Sequence, residues 1–315
     1  MHEPAPSRTP SRRRILAGGG VLAALATLGG WVRDLTAADV SPAARGAAPV
    51  APMAGRAPAL FVGHGSPMNA IRDNSFSQTL VRWGQALGRP KAVLMVSAHW
   101  LTEGDTRVST TAQPALIYDF GGFPQALYQV RYAPPGAPDA ALRAAARLAL
   151  RVAGQDGQRG LDHGAWTVLR HLYPAADVPV FQLSIDITRP GAHHLALGRA
   201  LAALRDDGVL IVGSGNVVHN LQLVDSRQAD APHASTDWAQ RFDAAVLQAV
   251  QAGDHAALAR WQGLSAGAEM AVPFPDHYLP LLVAAGAAQA GEPVRQVFEG
   301  FQAGTISMRC MQWGA

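Results

Sequence analysis

One cysteine, Cys310, stands in 315 residues, so no disulfide can form within the chain. Charge is sparse as well: Asp, Glu, Lys and Arg make up 16% of the residues. The formal net charge of +3 is confined to residues 1–38, where Arg8, Arg12, Arg13, Arg14 and Arg33 outnumber Glu3 and Asp34 by three. The rest is neutral and carries no basic stripe with interleaved aromatics, which argues against nucleic acid as a partner. Compact catalytic signatures are missing too. No HExxH or CxxC metal motif occurs, "GHGSP" and "GSGN" match neither a P-loop nor a GxGxxG fingerprint, and Ser66 has no GxSxG elbow around it.

What the chain has in quantity is apolar surface, 49% of residues, enough at this length for a substantial core. Residues 1–38 join an arginine-bearing stretch, a Gly/Ala-rich apolar segment and small residues, the pattern of an export signal. Ser11-Arg12-Arg13-Arg14-Ile15-Leu16 resembles the twin-arginine type, which exports folded proteins and implies a periplasmic destination. A membrane anchor over residues 15–32 is the alternative, but Gly and Ala make that segment weakly hydrophobic and no stable span is expected once a signal is removed. An Ala/Pro-rich linker follows at 39–57, and residues 58–315 form a single domain.

Within it the apolar runs 59–64, 92–100, 178–186 and 208–216 alternate with amphipathic patterns such as 139–153 and 193–206, and 293–301 adds an edge strand. Runs this uniformly apolar suit strands covered on both faces. The alternation predicts an α/β fold: a central, mostly parallel or mixed sheet with helices on both faces.

Sites in such sheets lie beyond the carboxyl ends of the strands. His64 ends the first run in "FVGHGSP", His99 the second in "VSAHW", and His219 follows the fourth in "GSGNVVHN". His277 lies in "PFPDHYLPLL" and His163 in "LDHGAW". Strand-end imidazoles beside glycines point to a mononuclear, histidine-rich metal centre, since neutral imidazole is a good ligand for Zn, Fe, Cu and Ni. The other histidines, His171, His193, His194, His233 and His255, are assigned to solvent or capping, and His2 to the signal.

At these residues the chain resembles a known family. "ALFVGHGSPMNAI", "PKAVLMVSAHW", "IYDFGGFPQALY", "GLDHGAWTVLRHLYP", "VPVFQLSID", "GSGNVVHNL" and "HYLPLL" are similar, in order from about residue 58 to 313, to the class III extradiol ring-cleaving dioxygenases of the DOPA-type branch. The resemblance implies a LigB-like fold and one divalent non-haem metal, held at His64, His99, His219 and His277. It also implies oxidative opening of a small catechol with O2, and His163 as the acid/base group. Asp119, Phe120, Phe123 and Tyr128 are the expected substrate-pocket residues, and Asp162 and Asn216 the expected supports behind the ligands; Asp119 is also a candidate for orienting an imidazole. Tyr118 departs from the "HDFGGFP" of many relatives.

Fe(II) is the metal that oxygen chemistry requires, while Zn(II) is expected to occupy such a site in a purified sample. Two other readings use the same histidines: a Zn-dependent hydrolase, and a non-catalytic metal-binding protein of the same fold. An exported chain without disulfides fits one that folds and takes up its metal before export. The oligomeric state is not legible in the sequence.

Overall fold

The computed structural model describes residues 51–149, 154–228 and 235–315. The signal expected at 1–38, linker residues 39–50 and His233 lie outside the described residues. Residues 51–57, the last of that linker, are tied to the domain. Met53 N donates to Arg89 O at 2.9 Å, Arg89 N to Ala51 O at 2.7 Å, and Ala57 N to Arg205 O at 3.0 Å.

In chain order the strands are β1 (Ala59–Gly63), β2 (Ala92–Thr102), β3 (Val108–Ser109), β4 (Gln155–Asp156), β5 (Val180–Asp186), β6 (Val209–Gly215), β7 (Val294–Phe298), β8 (Phe301–Gln302), β9 (Ile306–Ser307) and β10 (Cys310–Trp313). The helices are α1 (Ser75–Leu87), α2 (Gln125–Tyr128), α3 (Pro138–Arg147), α4 (His163–Leu172), α5 (Gly191–Leu201), α6 (Asp237–Gln251), α7 (His255–Ala259), α8 (Ala268–Ala271) and α9 (Leu279–Ala287).

One mixed sheet runs in the order β4-β3-β5-β2-β6-β1-β10-β7. Its centre, β5-β2-β6-β1, is parallel and consists of the four apolar runs, with Leu94 beside both Phe181 and Ile211, and Phe61 beside Gly213. Side chains alternate across a strand, so each run feeds two cores. Phe61, Leu94, Val96, Leu183 and Ile211 pack with Leu195 and Leu201 of α5, Phe242 of α6 and Leu281 of α9. Leu60, Val62, Val93, Met95, Leu210 and Val212 pack with Phe76 and Leu80 of α1 and Trp166 and Leu169 of α4. Helices therefore cover both faces.

The expected edge strand is β7, but β10, antiparallel to both neighbours, sits between it and β1. Four residues, CMQW, carry too little periodicity to read as a strand in isolation. Among the described residues, no helix is long and apolar enough to cross a membrane.

Candidate metal centre

β2, β6 and β1 are neighbours in the sheet, so their carboxyl ends open on one place. His64 follows β1 directly, His99 lies in the carboxyl-terminal part of β2, and His219 comes four residues after β6. His163 is the first residue of α4, whose N-cap, Asp162, accepts from Ala165 N at 3.2 Å. His277 closes the short helical turn Pro275–His277 that leads into α9.

The two glycines of "GSGN" are explained by that last segment. A Cβ on Gly215 would lie 2.0 Å from His277 O, and one on Gly213 2.3 Å from Pro280 O. Only bare backbone lets the His277 segment lie against β6, where Asn216 N donates to His277 O at 2.8 Å.

Five imidazoles meet there. His64 is 5.1 Å from His99, 5.5 Å from His163 and 5.2 Å from His277 between ring centroids, while His99 is 3.9 Å from His163 and 4.9 Å from His277. His219 stacks flat on His277, centroids 3.5 Å apart and planes within 8°. His64, His163 and His277 are buried; His99 and His219 keep part of their surface open.

Neighbouring groups dictate where the ring protons sit. Ser214 Oγ donates its one proton to Gly164 O at 2.6 Å, so at 3.0 Å from His64 Nδ1 it can only accept. His64 is therefore protonated at Nδ1 and carries its lone pair on Nε2. Asp119 acts similarly on two rings: Oδ1 accepts from His163 N at 2.9 Å, Oδ2 accepts from His163 Nδ1 at 3.0 Å and lies 3.4 Å from His99 Nδ1. His163 is thereby left with Nε2 as its free nitrogen, and the carboxylate beside His99 Nδ1 favours the same tautomer there.

Burial, and then the neighbouring imidazoles, push His64, His99 and His219 well below the usual histidine range. The same causes, with His163 as the chief neighbour, take His277 down to about 3, against a smaller opposing pull from Asp119. Burial acts to raise the Asp119 carboxyl, but His163 and His99 and the hydrogen bonds from His163 carry it below the carboxylate range. Burial raises Asp276, which lies 3.0 Å from His277 Nδ1 without the alignment of a hydrogen bond.

These residues fit a divalent cation. His64 Nε2 and His99 Nε2 face each other at 3.2 Å, and two lone pairs so placed require a proton or a metal ion between them. The candidate ligand atoms of His64, His99 and His163 lie within 4.8 Å of one another, as do those of His219, Asp276 and His277.

The expected set of four, His64, His99, His219 and His277, is thus divided between two groups, and His163 stands with the first. The stacked His219 and His277 rings lie in near-parallel planes about one ring thickness apart, so in this arrangement one ion about 2.1 Å away cannot lie in the plane of both. His277 is the one of the pair whose ring neighbours both His64 and His99.

The expected pocket residues gather beside His163. Phe120 lies 5.6 Å from the His163 ring, 5.4 Å from Phe123 and 5.3 Å from Tyr128. Asp119 turns one oxygen to the His163 backbone N and the other to the His163 ring, so it serves the histidines and not the pocket wall. Tyr118 donates its hydroxyl to Val130 O at 2.7 Å and accepts from Arg131 Nη1 at 3.1 Å.

Asp162 and Asn216 support the site through backbone. Asp162 accepts from Ser97 Oγ at 2.5 Å and Arg159 Nη2 at 2.8 Å, and makes no bond to an imidazole ring. Asn216 holds the His277 carbonyl and donates Nδ2 to Ser307 O at 2.7 Å. The assignment of His171 and His194 to solvent or capping is corrected: both are buried, and burial takes each to about 4. They line the inward faces of α4 and α5, a placement that depends on what the helices pack against. Sequence reasoning missed Ser214 and Asp276. Asp276 is adjacent to His277 in the chain and was open to suspicion on that ground; nothing marked Ser214 apart from its glycine neighbours.

Residues 58–310 match the family described as the catalytic LigB subunit of aromatic ring-opening dioxygenase. A protein of Escherichia coli K12 named 4,5-DOPA dioxygenase extradiol is 43% identical over 271 residues, 82% of this chain and 95% of that one. One of the same name from Beta vulgaris is 37% identical over 253 residues, 78% of this chain and 92% of the relative. The crystal structure of an uncharacterized E. coli K12 protein superposes with a TM-score of 0.70 at 38% identity, covering 82% of this chain and all of that one.

Proposed function

The chain belongs to the LigB family of aromatic ring-opening dioxygenases and is an extradiol dioxygenase, and from that premise we propose that it opens the ring of a DOPA-like catechol, using O2 and an Fe(II) ion held by His64, His99 and His277. The observation that carries the proposal is the facing Nε2 pair of His64 and His99, with His64 Nδ1 committed to Ser214 Oγ and His99 Nδ1 turned toward Asp119 Oδ2 at 3.4 Å. Bound there, Fe(II) supplies the redox partner for dioxygen that Zn(II) cannot be.

His163 handles the proton. Its Nδ1 donates to the Asp119 carboxylate, so Nε2 is the basic atom, and the carboxylate stabilises the imidazolium that forms when a catechol hydroxyl gives up its proton. The same atom returns the proton as the ring opens. Its place between the imidazole cluster and Phe120 puts it beside the aromatic ring that Phe120, Phe123 and Tyr128 would hold.

The test is anaerobic loading with Fe(II), then oxygen-electrode and absorbance assays over a catechol panel. One O2 consumed per catechol, with a ring-opened product from the Fe(II) form and none from the Zn(II) form, is the expected result. Metal-dependent cleavage of esters or amides without oxygen uptake would overturn it. The proposal includes export through the twin-arginine route. Replacing Arg12 and Arg13 with lysine should retain the chain in the cytoplasm on cell fractionation, and an unchanged distribution would refute that part.

A further inference from the structure

We propose that Arg159, Ser97 and the buried Asp162 form a clamp that sets where His99 stands relative to His163; the idea rests on His99 belonging to the metal site. A helix cap needs one acceptor oxygen, and Asp162 Oδ1 meets that need for α4. Its second oxygen and its charge exceed what capping requires, and a fully buried carboxylate is unfavourable unless paired.

The excess is spent on the His99 peptide. Ser97 Oγ donates to Asp162 and accepts from His99 N at 3.2 Å. Arg159 Nη2 donates to Asp162 Oδ2 and also to His99 O at 3.2 Å. Both polar groups of His99 are thereby tied to the carboxylate that starts the helix bearing His163. The contact has no slack: a Cβ on Gly164 would lie 2.5 Å from Ser97 Oγ and 3.0 Å from His99 Cδ2. Asp162 has no exposed surface and can touch no substrate, which makes it a positioning residue. Arg159, lying over the Trp100 ring at 5.1 Å and part-exposed, is the member that can be altered from outside.

The experiment loads the full chain with Co(II) alone and reads its visible absorption band and dissociation constant. Arg159→Ala should weaken Co(II) binding about 10- to 100-fold and shift the band, and millimolar guanidinium should restore both. Because that variant leaves a buried carboxylate unpaired, Arg159→Ala/Asp162→Asn is measured beside it. The amide at position 162 still caps α4 and still accepts from Ser97, so the fold holds while His99 O has lost its donor, and the same shift is expected. Wild-type affinity and band in the double variant would overturn the clamp. No Co(II) binding by the unmodified chain would instead overturn the metal-site reading on which it rests.

Discussion

Two buried polar centres sit at opposite ends of the sheet, and they differ in one respect. At the amino ends of the strands the fully buried Arg205 spends its donors on protein acceptors: Nε on Ala57 O at 2.7 Å, Nη1 on Ala287 O at 2.8 Å and Glu292 Oε2 at 2.7 Å, Nη2 on Glu292 Oε1 at 2.5 Å and Trp313 O at 3.3 Å. At the carboxyl ends His64 and His163 are hydrogen-bonded to protein at Nδ1 and not at Nε2, and His64 and His99 turn Nε2 toward each other. A buried cation with every donor met is structure, whereas converging lone pairs without a protein donor await a guest.

The sharpest way to break that contrast is His64→Ala. It should abolish both metal retention, read by elemental analysis, and ring cleavage, read by oxygen uptake; retained activity would remove the basis of the comparison. Next comes Arg205→Ala, which leaves Glu292 without its partner and should cost about 3 kcal/mol or more in chemical denaturation while leaving metal stoichiometry unchanged. Stripping the metal with a chelator should lower stability by about 2.7 kcal/mol relative to protein held at ~100 times the dissociation constant. Zn(II) should restore that stability, yet only Fe(II) should restore turnover.

The smallest effect sharpens the comparison within the histidines themselves. His171, unlike His64, has its Nε2 met by protein, donating to Asn69 O at 2.8 Å, while Asn69 Nδ2 holds His64 O at 3.0 Å. Burial brings its pKa to about 4, so the unfolded chain takes up a proton first as pH falls. Its contribution is whole above about pH 6.5, declines below that, and stops declining near pH 4. His171→Gln should therefore remove about 2 kcal/mol of the stability lost between pH 7 and about pH 5, measured as the difference between the two proteins' denaturation curves. Equal pH dependence in both would show that the ring carries no such load.

The four central strands were legible because strands covered on both faces must be apolar throughout, and the strand-end histidines stood out against that background. β3, β4 and β10 were not, since two to four residues hold too little periodicity to separate from loop. Phe120, Phe123 and Tyr128 were expected to line the pocket; Phe120 neighbours the His163 ring, and Phe123 and Tyr128 pack on Phe120. The roles of Ser214 and Asp162 depend on which atoms lie 3 Å away, and no pattern along one chain carries that.

The amino-acid order by itself determined that imidazoles would arrive at one end of a parallel sheet, because apolar periodicity dictates the strands and each strand's last residues dictate what it presents. Only the tertiary structure decided which nitrogen of His64 and His163 is free, that His219 lies flat on His277 instead of converging beside it, and that Asp162 reaches the His99 backbone through Ser97 and Arg159 and does not bond a ring. Those outcomes are set by contacts between residues 35 to 150 positions apart, where direction and distance at the scale of a hydrogen bond follow from how the helices settle on the sheet.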